Sequence, residues 1–260
     1  MNEQEWMTSK DPMAMLAFVR TNAGDESFGA IYPTQPIPDA SPLLVSDRKL
    51  RLFACACCRQ VWPLLTDVRS RAAVDIAEKY SDGLATGRAL AAYRSAAWAA
   101  YRSASWAAAG DAAGAASWAG QSALLRDIVG NPWRADVVKG GPCPWLTTDV
   151  ISIATATYEE RARECATCKG KGGGVYGLEE TEWDCETCRG TGVIDDGTLD
   201  PLRLGVLSDA LEEAGCDNDD ILCHLRGHYL SRDGSRVWHA NKDTPHVRGC
   251  WVLDLLLGKE

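Results

Sequence analysis

Apolar residues recur at helical spacing along most of the chain, and polar capping residues mark where the predicted helices begin. The pattern predicts helices over roughly 12–20, 47–61, 67–81, 148–161, 201–214, 218–226 and 245–257. Asp200-Pro201 and Thr244-Pro245 are typical helix starts, because the polar side chain caps a backbone N–H and Pro suits the first turn. Strand signals are scarce outside 165–192. The fold class is therefore predicted to be mainly α.

The segment 86–129 is rich in alanine and tryptophan. Two similar stretches, 92–98 and 100–106, repeat at a spacing of eight residues, which is about 80° beyond two helical turns. Their aromatic rings are thus expected to wind around a helix. We interpret them as core packing rather than as an aromatic box for a ligand. Gly110 and Gly114 are expected to break the tract into a helical hairpin.

Four cysteines form two copies of the pattern C-x-x-C-x-G-x-G, at Cys165, Cys168, Cys185 and Cys188. Two thiolates three residues apart can grip one metal ion, and a second pair brought back by a β-hairpin completes a tetrahedron of sulfur. Gly174 to Gly177 and Thr181 to Asp184 are expected to pair as that hairpin. The glycines favour zinc over a redox pair, because they would break the helix that follows a redox C-x-x-C motif. Four thiolates would leave no open position, which indicates a structural zinc.

This doubled motif resembles the cysteine-rich zinc domain of DnaJ-type co-chaperones. The resemblance covers residues 165–192 only. That domain has four such motifs and two zinc ions, whereas the two motifs here suffice for one. The His-Pro-Asp signature of the J-domain is absent from the sequence. The resemblance therefore implies a zinc centre at the four cysteines and no co-chaperone activity.

The amino-acid composition bears on which partners the protein binds and in which compartment it acts. The formal net charge is -9, and acidic side chains outnumber basic ones across 161–192, which argues against nucleic-acid binding through the zinc knuckles. The polar N-terminus is unlike a signal peptide, and the alanine-rich tract is interrupted by charges, so no membrane span is expected. Eleven cysteines without a secretory signal suit metal binding in a reducing cytoplasm.

A further set of cysteines and histidines leaves a second site open. Cys55 and Cys58 share one face of a predicted helix and are expected to be core residues. His224, His246 and Cys250 lie in the C-terminal part, and the spacing of His246 and Cys250 makes a second metal site conceivable. An enzyme with its site among these five residues is an alternative. No G-x-S-x-G, P-loop, dinucleotide-binding or H-E-x-x-H motif supports one.

Stretches outside the cysteine motifs resemble a family of bacterial proteins, and this resemblance implies no particular activity. They are 46–59, 127–133, 207–216 and 246–251. Relatives of this kind run from a helix like that before 162 almost directly into one like 204–215. We therefore predict a helical domain over 1–163 and 198–260 with a zinc-binding insert over 164–197. A smaller insertion is expected at 228–244, which reads as a polar loop.

The expected function is that of a non-enzymatic, zinc-stabilised scaffold or protein-interaction module. Its partner would be another protein rather than a nucleic acid or a membrane. The alternatives that remain are the Cys/His enzyme and nucleic-acid binding through the knuckles. Pathway, partner identity and oligomeric state have no signal in the sequence.

Overall fold

A computed structural model of the protein is mainly helical, which confirms the predicted class. It describes residues 1–21, 45–62, 65, 68–91, 111–133, 143–159, 163–165, 167–176, 181–185, 188, 190, 192–194, 197–230, 236–238 and 246–259. The repeats at 92–98 and 100–106 lie outside the described residues, as does Gly110. Within the described residues, no helix has the length and apolar character needed to cross a membrane.

Helices in the first half of the chain begin largely where capping residues predict them. They are α1 (Glu3–Thr8), α2 (Pro12–Thr21), α3 (Asp47–Gln60), α4 (Val68–Ser81) and α5 (Asp111–Val129). Ser46 caps α3 by accepting the N–H of Lys49. Helix α1 was not predicted, and its capping box between Asn2 and Glu5 is the local signal for it. Helix α5 runs through Gly114, so the predicted break there is wrong.

The second half combines helices with three pairs of short antiparallel strands. The helices are α6 (Thr148–Glu159), α7 (Pro201–Glu213), α8 (Asp219–Leu225) and α9 (Trp251–Leu257). The strand pairs are β1 (Arg163–Glu164) with β4 (Val193–Ile194), β2 (Gly173–Tyr176) with β3 (Thr181–Asp184), and β5 (His228–Leu230) with β6 (Arg236–Trp238). Asp200 caps α7, as the sequence predicts, and Asn218 caps α8, where the sequence allows Asp217 or Asn218.

The last helix starts later than predicted. Thr244-Pro245 was the expected start, but α9 begins at Trp251. The N–H of Leu199 donates to the carbonyl of His246 at 2.8 Å, and Val247 forms a bridge with Thr198. The carbonyl of His246 is thus bound to the segment before α7, and the N–H of Val247 donates to the side chain of Asp127, so neither group takes part in a helix. His246 and Cys250 consequently lie in a turn, with the N–H of Cys250 bonded to the carbonyl of Val247.

Among the described residues, the helices pack around two large hydrophobic clusters and one small one. The first cluster joins α6, α7, α8 and α9 around residues such as Leu207 and Leu253. The second joins α1, α2, α3 and α5 around Trp6 and Leu124. The small cluster lies between α3 and α4. Helices of the two large clusters meet where the C-terminal end of α5 approaches α8 and the turn before α9, at the second site described below.

A buried ion-pair network ties α3 to α4, α6 and α9. The guanidinium of Arg48 donates to Asp254 at 2.7 Å, to Asp82 at 2.9 Å and to the hydroxyl of Tyr158 at 2.7 Å. Tyr158 in turn donates to Asp82 at 2.8 Å. Arg248 lies 3.1 Å from the second oxygen of Asp82. The carboxylates of Asp82 and Asp254 are almost fully buried, so Arg48 and Arg248 compensate charges that water does not reach.

Candidate metal centres

The two cysteine motifs fold into matching knuckles. In each, the first cysteine accepts a backbone bond from the glycine five residues on, from Gly170 to Cys165 and from Gly190 to Cys185, at 3.3 Å in both. The knuckles also hold each other. The N–H of Cys165 donates to the carbonyl of Gly192 at 2.9 Å, and that of Cys185 donates to Gly172 at 2.7 Å. The chain therefore forms a pair of loops related by an approximate two-fold axis.

This pairing brings four sulfur atoms together. The Sγ atoms of Cys165 and Cys185 lie 3.8 Å apart, and those of Cys168 and Cys188 lie 3.6 Å apart. In a tetrahedral site with metal–sulfur bonds of about 2.3 Å, neighbouring sulfurs lie about 3.8 Å apart. All four side chains are buried and form a cluster of their own. The cluster has the size and ligand number to hold one metal ion.

Backbone N–H groups of two glycines point at two of the sulfurs. Gly172 donates to the Sγ of Cys168 and Gly192 to that of Cys188, both at 3.2 Å. Such bonds stabilise a thiolate and orient it toward a metal. Burial nevertheless raises the pKa of the Cys168 thiol to about 11, whereas the backbone N–H of Cys168 lowers the pKa of Cys165. Loading a metal therefore has to displace thiol protons.

A second cluster lies where the two large hydrophobic clusters meet. Asp127 comes from the last turn of α5, His224 from α8, and His246 and Cys250 from the turn before α9. The Oδ1 atom of Asp127 lies 2.6 Å from Nδ1 of His246 and 3.2 Å from Nε2 of His224. The Sγ atom of Cys250 lies 3.2 Å from the same Nε2 and 3.9 Å from the same Nδ1. These four donor atoms also fall within the reach of one metal ion.

Burial and charge act on this second cluster in opposite directions. Burial raises the pKa of the Asp127 carboxyl, but the two imidazoles outweigh it, so its pKa falls below the usual range. Burial lowers the pKa of His224 and raises that of Cys250 well above its ordinary value. The second carboxylate oxygen of Asp127 accepts the N–H of Val247 at 2.8 Å. The carboxylate is thereby held with Oδ1 toward the imidazoles.

The structure separates the five residues that the sequence left as a possible second site. His224, His246 and Cys250 come together, but Cys55 and Cys58 lie in the small cluster between α3 and α4. Burial raises the pKa of both thiols, and Cys55 faces the carbonyl of Val74 at 3.9 Å. They are core residues, as expected.

Asp127 is the member of the second cluster that sequence reasoning missed. Its helix is apolar at Leu124, Leu125 and Ile128, all fully buried. A carboxylate in the last turn of a helix is also unfavourable, because the carbonyl end of the helix carries partial negative charge. A buried acid at the C-terminal end of an apolar helix is thus the signal that could have found it.

Comparison of the chain with protein-family models, with curated proteins and with solved structures finds no match. The resemblances to the DnaJ-type zinc domain and to the bacterial family thus stay predictions. The geometry of the two clusters is therefore the basis for the proposed function.

Proposed function

We propose that the protein is a zinc protein in which Cys165, Cys168, Cys185 and Cys188 hold one structural zinc ion. The observation that carries this proposal is the convergence of four buried sulfurs at the spacing of a sulfur tetrahedron. Soft thiolates arranged tetrahedrally favour zinc or an iron–sulfur centre over magnesium or calcium. The approximate two-fold pair of glycine-backed knuckles favours the single zinc ion, because structural zinc sites are closed, four-coordinate and often built from paired C-x-x-C motifs.

The proposed role of this zinc is to fold the segment 164–197 on the helical scaffold. In its described residues the segment has the short pair β1–β4, which flanks the two knuckles, and the short pair β2–β3, which lies between them. The buried cluster of these described residues consists of the four cysteines. A unit with so small a buried core needs a metal ion or another cross-link to fold stably. Zinc binding by such modules supplies about 10 kcal/mol or more of folding free energy.

For the whole chain we propose a non-enzymatic scaffold or protein-interaction module that acts in the cytoplasm. A four-thiolate zinc leaves no coordination position for water or substrate, and the sequence contains no known catalytic motif. The acidic balance disfavours nucleic acid as the partner. A protein partner is the class that remains.

Metal analysis of Cys185→Ser against the unaltered chain tests the zinc proposal. Losing one of four thiolates opens the site, so we expect the variant to retain one zinc ion fewer per chain by elemental mass spectrometry. Cys143→Ser is the control, since Cys143 lies outside both clusters, and it should keep the full zinc content. Equal zinc content in the variant and the unaltered chain would refute the proposal.

The interaction role is tested by affinity capture from native lysate with the full chain as bait. We expect a protein partner at near-stoichiometric amount that Cys143→Ser also captures and Cys185→Ser does not. Dependence on the zinc knuckles separates a specific partner from background binding. Capture of no stoichiometric partner by the full chain contradicts the interaction role while leaving the zinc proposal intact.

A further inference from the structure

The cluster of Asp127, His224, His246 and Cys250 has a geometry that a hydrogen-bonded relay does not explain. In a Cys-His-Asp relay the two ring nitrogens of one histidine have different partners, the carboxylate on one side and the thiol on the other. Here Nε2 of His224 faces both Oδ1 of Asp127 and Sγ of Cys250, at 3.2 Å in each case. One ring nitrogen carries at most one proton, so it cannot donate well to both atoms.

His246 repeats this arrangement from another side. Its Nδ1 atom is the nitrogen that faces both Oδ1 of Asp127, at 2.6 Å, and Sγ of Cys250, at 3.9 Å. The two imidazole rings meet edge to face with their centroids 4.6 Å apart. Four donor atoms from three chain segments therefore point toward one common centre. Convergence of this kind is the arrangement of ligands around a cation.

We propose that Asp127, His224, His246 and Cys250 form a second metal site, which binds a zinc ion independently of the four-cysteine centre. One carboxylate, two imidazoles and one thiolate are all established zinc ligands, and together they make a tetrahedral set. The mixture of nitrogen and sulfur disfavours magnesium and calcium, which take oxygen ligands. The charges also match, because one carboxylate and one thiolate balance a dication.

This balance of charge matters because the four side chains are buried. Cys250 and Asp127 are almost completely buried, and the side chain of His246 is only 11% exposed. Uncompensated charge at such depth is costly. A neutral assembly of zinc, carboxylate, thiolate and two uncharged imidazoles avoids this cost.

The distances are compatible with a bound ion after small side-chain movements. With bonds of about 2.0–2.1 Å to nitrogen and oxygen and about 2.3 Å to sulfur, neighbouring donor atoms lie roughly 3.3–3.6 Å apart. The two contacts of His224 Nε2 already measure 3.2 Å. The 2.6 Å contact between Asp127 and His246 has to open, and the 3.9 Å contact between His246 and Cys250 has to shorten. The N–H of Val247 would hold the carboxylate in place from outside the site, as outer partners of metal ligands do.

The four protein ligands fill a tetrahedron, so this zinc would be structural. It would fasten α5, which packs in the second hydrophobic cluster, to α8 and Cys250, which pack in the first. A metal-free alternative is a hydrogen bond from Nδ1 of His246 to Asp127, which accounts for the 2.6 Å contact. That alternative requires no metal at all, and metal counting separates the two.

Zinc content per chain, measured by elemental mass spectrometry after dialysis, tests the proposal on the full chain. We expect two zinc ions in the unaltered protein, one in Cys185→Ser, one in His224→Gln and none in the double variant. Cys223→Ser is the matched control, because Cys223 is a buried neighbour of His224 on α8 and belongs to neither cluster. It should keep two.

The pattern of losses separates this proposal from the four-cysteine centre. One zinc in the unaltered chain and none in Cys185→Ser would overturn the second site and leave the first. One zinc in the unaltered chain, retained in Cys185→Ser and lost in His224→Gln, would support the second site and overturn the first.

X-ray absorption of zinc-loaded Cys185→Ser keeps the test decisive if His224→Gln fails to fold. The single remaining zinc is expected to have one sulfur neighbour and three nitrogen or oxygen neighbours. Absence of zinc from this folded variant, or a shell dominated by sulfur, would overturn the proposal.

Discussion

Two glycines decide how closely the two cysteine knuckles approach each other. Gly172 and Gly192 have φ values of +74° and +75°, in the left-handed region. A Cβ atom on either would lie 2.2 Å from a backbone carbonyl oxygen of the opposite knuckle, Gly190 for the first and Gly170 for the second. Both requirements, the left-handed backbone and the absence of a side chain, are met by glycine alone.

Gly172→Ala is therefore expected to weaken zinc binding at the four-cysteine centre. The Cβ would push the knuckles apart and displace the N–H that faces Cys168, so zinc should pass to a competing chelator at a lower chelator concentration. Gly83→Ala is the control, because Gly83 has φ of +73° with no atom within 4 Å of the added Cβ. It carries only the backbone strain, about 1–2 kcal/mol, and should release zinc as the unaltered chain does. Equal zinc retention by both variants would contradict the close-approach argument.

At the scale of elements, the helices of the described chain are joined through Arg48 as well as through apolar packing. Its guanidinium reaches α4, α6 and α9 by pairing with Asp82, Tyr158 and Asp254. Burial of the guanidinium lowers its pKa, but Asp254 and Asp82 outweigh this, so it stays charged. The sequence places Arg48 on a helix near capping signals and gives no hint of its three distant partners.

Arg48→Met should destabilise the whole fold. Methionine keeps the apolar stem but removes the one cation that contacts both buried carboxylates, so that Asp254 keeps only Lys49, at 3.6 Å, and Asp82 keeps Arg248, at 3.1 Å. Because these weaker partners remain, we expect a loss near the lower end of the roughly 3–5 kcal/mol that broken buried pairs cost. For a chain of this size that corresponds to a fall in Tm of roughly 10 °C, measurable by circular dichroism.

Arg226→Met is the matched control for Arg48→Met. Arg226 also pairs with two acids, Asp209 and Glu212, but both are exposed to solvent. Exposed pairs are worth about 1 kcal/mol or less. A similar fall in Tm for both variants would show that burial of the network is not what makes Arg48 important.

At the scale of the whole molecule, the two candidate metal centres differ in how far apart their ligands lie along the chain. The four cysteines lie within 23 positions of one another in a segment with its own strands. The second set joins residues from both halves of the helical scaffold, with Asp127 and His246 separated by 119 positions. Losing the first metal should thus act locally, and losing the second should act on the packing of the core.

Cys185→Ser is accordingly expected to raise amide hydrogen exchange over 164–197 while leaving α7 and α8 protected. Helical circular dichroism should stay largely unchanged. Loss of helical signal across the chain would show instead that the zinc knuckles belong to the main core.

The same difference in sequence separation explains what could be predicted from the sequence. Local rules found the Asp200 cap, and they left the caps of α3 and α8 open between two neighbouring residues each, 46 or 47 and 217 or 218. The repeated C-x-x-C-x-G-x-G spacing found the four cysteines that come together, because each knuckle is built from consecutive residues. Local rules misplaced the start of α9, since the carbonyl of His246 accepts the N–H of Leu199 and the N–H of Val247 donates to Asp127. They missed Asp127 for a related reason: its partners are set by tertiary packing, which no spacing encodes.

The mutual backbone bonds of the two knuckles bear on how the segment 164–197 binds its metal. Each knuckle supplies half of the sulfurs and also accepts the N–H of the other's first cysteine. A chain with one knuckle formed would lack both the ion and those bonds, so half-built forms should be scarce. In a titration with less than one equivalent of zinc, nuclear magnetic resonance should then show two sets of signals from the insert. The metal-bound set would gain intensity and the metal-free set would lose it in proportion to the added zinc, while the position of each signal stays constant.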